Sequence, residues 1–254
     1  VGNLSAVVTG VLLAFNLPAS IPWWIVLIGA FVAIAIAKMT FGGLGKNPFN
    51  PALVGRIVLF LSFSKTMTAW VFPDAVSSAT PLAQLAAGQK PELLTLLLGN
   101  HGGCIGETCA LALLLGGAYL LVRGVITWQT PVCFVGTVFV LSLVLGQDAL
   151  RQVLSGGLLL GAFFMATDYS TSPVTAPGRI IYGVGCGALT VLIRVFGGFP
   201  EGVSFAILIM NCCAWMFDKH TQRRQFGVSR EDVKAKKAAA KAAKKEAKEA
   251  AANG

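Results

Sequence analysis

The stretch FGGLGKNPFNPAL, residues 41–53, is the best guide to the fold, because a second version of it begins 155 residues later. The second stretch, FGGFPEGVSFAIL, covers residues 196–208. Both stretches follow a long apolar run, share Phe-Gly-Gly, pass through a polar turn and enter another apolar run. This pairing predicts an internal repeat whose unit is an apolar segment, a polar turn and a second apolar segment.

The apolar runs around these stretches indicate a polytopic, all-α membrane protein. Of the 254 residues, 55% are hydrophobic and only 12% are charged, and the mean hydropathy is +0.73. Continuous runs of Leu, Ala, Gly and Val favour helices over a barrel. We predict eight spans, approximately 4–16, 22–38, 51–66, 106–122, 125–146, 153–167, 179–197 and 203–217. The segment 91–99 is too short to span and is expected to be interfacial or re-entrant.

The charge distribution predicts the orientation of these spans. From Lys219 onward the chain has 11 Lys and Arg residues against four Asp and Glu residues, so the tail 219–254 is expected to be cytoplasmic. With eight spans the N-terminus is then also inside, and the loop 67–105 is outside. Lys38 and Arg56 are expected to border inside turns. The tail is expected to be attracted to anionic lipids, and nothing in it indicates nucleic-acid binding.

The spans and the repeat together suggest opposite orientations of the two halves. The first span would correspond to the sixth, which is five crossings away, and this predicts an inverted repeat. Residues 1–66 then supply the last three helices of the first repeat, and residues 106–218 supply the second, five-helix repeat. Completing five plus five helices would require two more helices before residue 1.

Several polar residues allow two interpretations each. Thr80, followed by Pro81, is typical of a helix N-cap. Asn47 and Asn50 lie in a Gly/Pro-rich turn where asparagine commonly caps a helix. Asp168, at the inner end of a span, is either an ordinary helix-end charge or a functional group, and the same holds for Asp218.

The remaining chemistry-bearing residues are expected to have no special role. Glu107, Asp148 and Glu201 are placed on the outer side, where solvation suffices. The six cysteines form no recognisable metal pattern and are expected to be small buried residues. No catalytic residue and no metal site is predicted.

Four motifs together resemble one protein family. They are FGGLGKNPFNPALVGR (41–56), DAVSSATPLA (74–83), GAFFMATDYSTSPVT (161–175) and FGGFPEGVSFAILIMN (196–211). In this order they closely resemble the RnfD subunit of Rnf-type electron-transport complexes. They resemble more distantly the NqrB subunit of the sodium-translocating NADH:quinone oxidoreductase. The resemblance runs from residue 1 to about residue 224. Two departures are the absence of the first two helices and the Ala/Lys-rich tail.

The resemblance implies a ten-helix inverted-repeat fold like that of urea channels, in a bacterial inner membrane. It also implies a role within a translocase that passes electrons between ferredoxin and NAD⁺ and exports Na⁺ or H⁺. The protein would be inactive alone. Its expected partners are other Rnf-type membrane subunits, including a second one with covalent FMN, and a flavin transferase for maturation.

The resemblance further implies two cofactors. FMN would be joined through a phosphoester to Thr80, because Asp74, Ser77, Ala79 and Thr80 match the family pattern D-x-x-S-x-A-T that the transferase recognises. Ser78 adds a small side chain, which allows close approach to the backbone.

Non-covalent riboflavin is the second implied cofactor, with Asn47 and Asn50 as its expected ligands. In the family, acidic residues like Asp168 and Asp218 are candidates for cation uptake. Two alternatives remain, a flavin-free permease of the urea-channel type and a structural scaffold protein.

Overall fold

A computed structural model describes residues 4–70, 79–197 and 202–221, and over these ranges every regular element is helical. The helices are α1 Ser5–Phe15, α2 Trp23–Phe31 with a π-helical continuation Val32–Met39, α3 Pro51–Ser62, α4 Ser64–Met67, α5 Pro81–Ala86, α6 Leu93–Leu98, α7 Ala110–Val122, α8 Gln129–Val144, α9 Ala149–Leu154, α10 Leu158–Leu160 with a π-helical continuation Gly161–Met165, α11 Ala176–Phe196 and α12 Val203–Thr221. Asp74, Ser77, Ser78 and Glu201 lie outside the described residues, as does nearly all of the basic tail.

Seven of the eight predicted spans coincide with helices, and the predicted short segment 91–99 holds the six-residue helix α6. Among the described helices, α11 alone is long and apolar enough to cross a bilayer by itself. Five other apolar stretches, from α1, α2, α3, α7 and α8, have 10–17 residues. The number of spans therefore stays a prediction.

The predicted span 153–167 is broken rather than continuous. The helix α9 ends at Leu154, and α10 begins only at Leu158. Between them Gly156 has a φ of +68°, a left-handed conformation that suits glycine. The break separates two short helices that a hydropathy pattern merges into one, because the intervening residues are small rather than charged.

Close helix packing depends on glycines at a spacing of four residues. A Cβ placed on Gly183 in α11 would lie 2.8 Å from the carbonyl oxygen of Thr130 in α8. A Cβ on Gly187 would lie 2.9 Å from the carbonyl oxygen of Phe134. Small residues four apart let helix backbones approach closely, which is how helices associate in a membrane. Many large apolar side chains on the outer faces are exposed, as expected for lipid contact.

The order of helices repeats at the spacing that the sequence predicts. Shifting α2 and α3 by 155 residues places them within α11 and α12, and shifting α1 places it on residues 160–170, of which 160–165 are helical. A buried polar contact repeats as well. Arg56 Nη1 donates to Asn16 Oδ1 at 2.5 Å. The positions equivalent to 56 and 16 are 211 and 171. The side-chain nitrogen of Asn211 donates to the Thr171 carbonyl oxygen at 3.3 Å when its amide is oriented to satisfy its neighbours. The helix order thus agrees with an internal repeat.

Candidate functional site

Asn47 and Asn50 lie in the wall of one pocket of about 350 Å³, which we call the amide pocket. Its walls come from α1, the end of α2, residues 44–52, the turn before α8 and residues 163–170. Three aromatic side chains also line it: Phe163, Phe164 and Tyr169. Ligand pockets typically have volumes of about 300–1,000 Å³ and mix apolar walls with a few polar groups. The pocket meets both conditions.

The two asparagines differ in how much of their hydrogen bonding is already used. Asn50 caps α3, and its Oδ1 accepts from the N–H groups of Ala52 and Leu53 at 3.1 and 3.4 Å. Its Nδ2 donates to the Met165 carbonyl oxygen at 3.2 Å. Asn47 donates from Nδ2, and within the described residues its Oδ1 accepts no hydrogen bond. The capping interpretation is therefore confirmed for Asn50, and Asn47 Oδ1 is the amide atom left for a ligand.

Asp168 lies in the same pocket and is joined to Asn47 through one serine. Asn47 Nδ2 donates to Ser170 Oγ at 3.2 Å, and Ser170 Oγ donates to Asp168 Oδ2 at 3.0 Å. Thr171 Oγ1 donates to the same carboxylate oxygen at 3.2 Å. The structure thus brings a predicted flavin ligand and a predicted cation ligand within two hydrogen bonds of each other.

Lys38 supplies the positive charge of the amide pocket. It is only 5% exposed, and its Nζ donates to the Ser5 carbonyl oxygen at 2.8 Å and to Thr9 Oγ1 at 3.2 Å. Lys38 lies at the end of α2, with its side chain buried against α1, and its assignment to the border of an inside turn stays a prediction. A buried ammonium group beside a pocket favours an occupant that is negatively charged or gains negative charge.

Asp218 is not in the amide pocket. Its carboxylate accepts from the backbone N–H groups of Val174 and Thr175 and from Thr175 Oγ1, at 3.0–3.2 Å. Thr175 in turn caps α11, accepting from the Gly178 N–H at 3.2 Å. Asp218 therefore joins the end of α12 to the start of α11, and this structural role accounts for its placement. A role in cation uptake stays a prediction for both Asp218 and Asp168.

Thr80 begins α5, as its sequence context predicts. Its Oγ1 accepts from the Ala83 N–H at 3.3 Å, which confirms the N-cap interpretation. Thr80 is half-buried, and Ala79 before it is exposed. Leu82 and Ala83 line a second pocket of about 520 Å³, so the Thr80 hydroxyl lies within one helical turn of its wall.

The second pocket, which we call the glutamine pocket, is polar and basic. Gln147 and Gln152 are hydrogen-bonded to each other at 3.0 Å, and Lys90 lies at the wall. Arg194 Nη1 donates to the backbone and side-chain oxygens of Gln152, and within the described residues it pairs with no carboxylate. The neighbouring Asp148 instead pairs with Arg151.

The Asp148 carboxylate has its pKa shifted by two opposing effects. Partial burial raises the pKa, but hydrogen bonds and charge attraction from Arg151, with a smaller attraction from Lys90, lower it overall. The carboxylate therefore stays ionised and remains committed to Arg151. Asp148 therefore does not pair with Arg194, which lines the glutamine pocket, donates from Nη2 to the Ser155 carbonyl oxygen at 3.2 Å and is attracted by Glu107.

The two pockets lie at opposite ends of α8. Val125 and Ile126, just before α8, line the amide pocket, whereas Gly146 and Gln147, just after it, line the glutamine pocket. With 16 residues, α8 is about 24 Å long. The structure therefore has two separate pockets, one toward each end of α8.

A buried charged cluster was not predicted from the sequence. Glu107 is 4% exposed, so the expectation of a solvated Glu107 is wrong. Arg56 is 5% exposed and lies within α3, and the side of the membrane that it borders stays a prediction. Arg56 Nη2 donates to Cys104 Sγ at 3.6 Å, and the Cys104 N–H donates to Glu107 Oε1 at 3.1 Å. Cys104 and Cys186 are buried as expected, whereas Cys212 is exposed.

Comparison with known proteins agrees with the resemblance seen in the motifs. The NQR2, RnfD, RnfE family matches residues 1–227. The D-type subunit of the Na⁺-translocating ferredoxin:NAD⁺ oxidoreductase complex of Acetobacterium woodii is 50% identical over 244 residues, which cover 93% of this chain and 77% of the relative.

Of two further relatives, one is named for proton translocation and the name of the other specifies no ion. The D-type subunit of the proton-translocating ferredoxin:NAD⁺ oxidoreductase complex of Clostridium ljungdahlii is 45% identical over 249 residues, covering 89% of this chain and 75% of the relative. The D-type subunit of an ion-translocating oxidoreductase complex of Alcanivorax borkumensis is 39% identical over 259 residues, covering 89% of this chain and 76% of the relative.

Proposed function

The chain belongs to the NQR2, RnfD, RnfE family, and from this premise we propose that it is a flavin-carrying membrane subunit of an ion-translocating ferredoxin:NAD⁺ oxidoreductase complex. The observation that supports this function best is the pair of pockets at opposite ends of α8, one beside the Thr80 hydroxyl and one beside the free amide oxygen of Asn47. A permease or scaffold has no need for an attachment threonine next to a basic pocket.

The glutamine pocket fits covalent FMN on Thr80. Thr80 is half-buried and lies two and three residues before Leu82 and Ala83 of the pocket wall, so a phosphoester on its oxygen would lie close to this wall. Arg194 and Lys90 supply positive charge for a phosphate, and the two glutamine amides supply donors and acceptors for a polar ring. The match of residues 74–80 to the attachment pattern adds the recognition sequence for a flavin transferase.

The amide pocket fits riboflavin. Asn47 Oδ1 would accept from a ring N–H group, Lys38 would stabilise negative charge, and the aromatic side chains Phe163 and Phe164 would contact the ring faces. A flavin supplies one- and two-electron redox chemistry. The residues of this chain bind and orient it, and Ser170 links its amide ligand to Asp168.

The same proposal gives the surroundings of the protein. It lies in the inner membrane of a bacterium with Thr80 and the glutamine pocket outside and the basic tail inside. Its partners are other Rnf-type subunits, one of which also carries covalent FMN, and anionic lipids contact the tail. The relatives named for Na⁺ and for H⁺ have similar sequence identities to this chain, 50% and 45%, so the proposal specifies the transported ion only as a monovalent cation.

The decisive test removes the Thr80 oxygen and little else. Thr80→Val keeps the branched shape, and loss of the N-cap alone should cost about 1 kcal/mol, which the bundle should tolerate. We expect the variant to assemble but to lose the flavin fluorescence of its band on a denaturing gel. Thr95→Val, a threonine on the same outer segment without a capping bond, should keep the band.

Two results would contradict the assignment of FMN to Thr80. A fluorescent band in Thr80→Val protein would leave Thr80 with its capping role alone. The absence of flavin from the parental protein would favour the permease or the scaffold instead. Thr80→Ser, which retains a hydroxyl, is expected to keep part of the label.

A further inference from the structure

Glu107 is a buried carboxylate that attracts two buried arginines, Arg56 and Arg194, yet one of its oxygens lacks a hydrogen bond. Its Oε1 accepts from the Cys104 N–H, but within the described residues its buried Oε2 has no hydrogen-bond partner. Only 4% of the residue is exposed. An unsatisfied carboxylate oxygen away from water is costly, and ionisable groups at membrane depth are usually functional. Such an oxygen is a ligand position for a cation.

A small gap beside Gly157 adjoins this oxygen. The point where a Cβ of residue 157 would stand lies 3.0 Å from Glu107 Oε2 and 3.7 Å from Arg56 Nη1. Gly157 has a φ of −72°, which any residue adopts, so its backbone does not require glycine. Glycine at residue 157 is therefore explained by the space that it leaves between the two charged groups, and not by the backbone conformation of the turn.

A second unsatisfied oxygen lies two residues before Gly157 in the chain. Ser155 Oγ is buried and, among the described residues, has no hydrogen-bond partner either. Hydroxyl and carboxylate oxygens are the donors that hard cations prefer. The segment 155–157 and Glu107 thus hold two buried oxygens that a cation could satisfy.

A row of polar contacts connects this gap with the amide pocket. Asn50 Nδ2 donates to the Met165 carbonyl oxygen, and Asn16 Nδ2 contacts the Met165 sulfur at 3.6 Å. Asn16 Oδ1 then accepts from Arg56, whose other amino group contacts Cys104. The row passes through a core that is otherwise mainly apolar. Polar groups that continue through the interior of a membrane bundle mark ion pathways.

We propose that Glu107 is the outer cation-binding carboxylate of this row, that the cation occupies the gap at Gly157, and that Arg56 is the positioning residue that displaces it. This inference rests on the proposed function and names the residues of its outward step. The ligand is a monovalent cation, Na⁺ or H⁺, bound at Glu107 Oε2. When the cation leaves toward the outside, the guanidinium of Arg56 neutralises the vacated carboxylate, and this charge prevents the cation from returning.

The experiment uses the whole complex reconstituted into liposomes, with ferredoxin-dependent NAD⁺ reduction measured together with cation uptake. Glu107→Gln keeps the size of the side chain and removes its charge. We expect the number of cations moved per electron to fall by about tenfold or more, because the outer ligand is lost. Radioactive sodium uptake with a protonophore, and a pH-sensitive dye in sodium-free buffer, distinguish the two cations.

Gly157→Ala tests the gap without touching a charge. Its methyl group would stand 3.0 Å from Glu107 Oε2, where the cation is expected to bind, so the same ratio should fall. Gly136→Ala is the matched control, because a Cβ there meets nothing within 4 Å. It should keep the parental ratio.

Arg56→Gln tests the displacement step. Without the arginine the vacated carboxylate accepts a cation from outside, and passive cation leak in the absence of ferredoxin should rise about fivefold or more. Glu92→Gln, an exposed carboxylate on the same outer segment, is the control for the charge substitutions. It should behave like the parental complex.

Several outcomes would overturn the inference. A parental ratio of cations to electrons in Glu107→Gln would do so, as would an unchanged leak in Arg56→Gln. Failure of all three variants to assemble, judged by recovery of the complex and by its flavin content, would assign the cluster a structural role. A parental complex that moves no cation would refute the proposed function itself, and the inference with it.

Discussion

Replacing Asn47 with Leu should empty the amide pocket of riboflavin. The substitution roughly keeps the volume and removes the one amide oxygen in the wall that no other described residue uses. It also removes the bond to Ser170 and so disconnects the pocket from Asp168. Asn50 is less suitable for this test, because its loss would also uncap α3.

The size of the effect follows from the hydrogen bond that the ligand would lose. A ring N–H group left unsatisfied in a buried site costs about 1–3 kcal/mol. Since each 1.4 kcal/mol is about a factor of ten in affinity, riboflavin should bind about 5- to 150-fold more weakly. Asn47 is only 4% exposed, so water cannot easily replace the lost contact.

Riboflavin extracted from the purified protein, followed by titration with added riboflavin, measures this change. Asn100→Leu is the matched control, because Asn100 is exposed and does not line the amide pocket. Covalent FMN should be unaffected in both variants. An affinity within about twofold of the parental value would refute the reasoning, because an amide that contributes a ligand hydrogen bond cannot be removed at so small a cost.

Two further predictions concern helix packing and the role of Asp218. Gly187→Ala should lower the thermal unfolding temperature, because its Cβ would overlap the Phe134 carbonyl oxygen at 2.9 Å and overpacking costs about 1–3 kcal/mol. Gly136→Ala should keep the parental unfolding temperature, because a Cβ there meets nothing within 4 Å. Equal unfolding temperatures for the two variants would contradict the packing argument. Asp218→Ala should accelerate hydrogen exchange at the Thr175 N–H, since that donor loses its acceptor. If Asp218→Ala left hydrogen exchange at the Thr175 N–H unchanged and reduced cation uptake by the complex, a role of Asp218 in the cation pathway would be favoured instead.

Local chemistry was readable from the sequence. The Thr-Pro and Asn-Pro pairs at residues 80–81 and 50–51 correctly indicate N-caps, because capping depends on a side chain and the N–H groups two or three residues later. The apolar runs likewise indicate helices at nearly the right bounds. The exception is the segment near Gly156, where a break made of small residues leaves the hydropathy pattern continuous.

The burial of charged side chains could not be predicted from the sequence in the same way. HGGCIGETC, residues 101–109, has the composition of an exposed loop, yet it folds back so that the Gly106 N–H donates to the Phe15 carbonyl oxygen at 2.8 Å. That contact joins positions 91 residues apart and accompanies the burial of Glu107. A signal was present at Arg56, a charge inside the apolar run 51–62, and such a charge is a functional candidate by default.

If each pocket holds a flavin as proposed, the placement of the pockets at opposite ends of α8 makes electron transfer between them depend on the membrane potential. The helix α8 between the pockets is about 24 Å long, which is roughly four-fifths of the hydrocarbon thickness of a bilayer. An electron that moves inward from Thr80 to the amide pocket would therefore work against an inside-negative membrane potential. The cost would be roughly 2 kcal/mol for each 100 mV. For that step to proceed, the inner flavin would need a reduction potential higher than the outer one by roughly 80 mV per 100 mV of membrane potential. Electrons that move outward would gain the same free energy. The membrane potential would therefore favour one direction of the reaction before any cation moves.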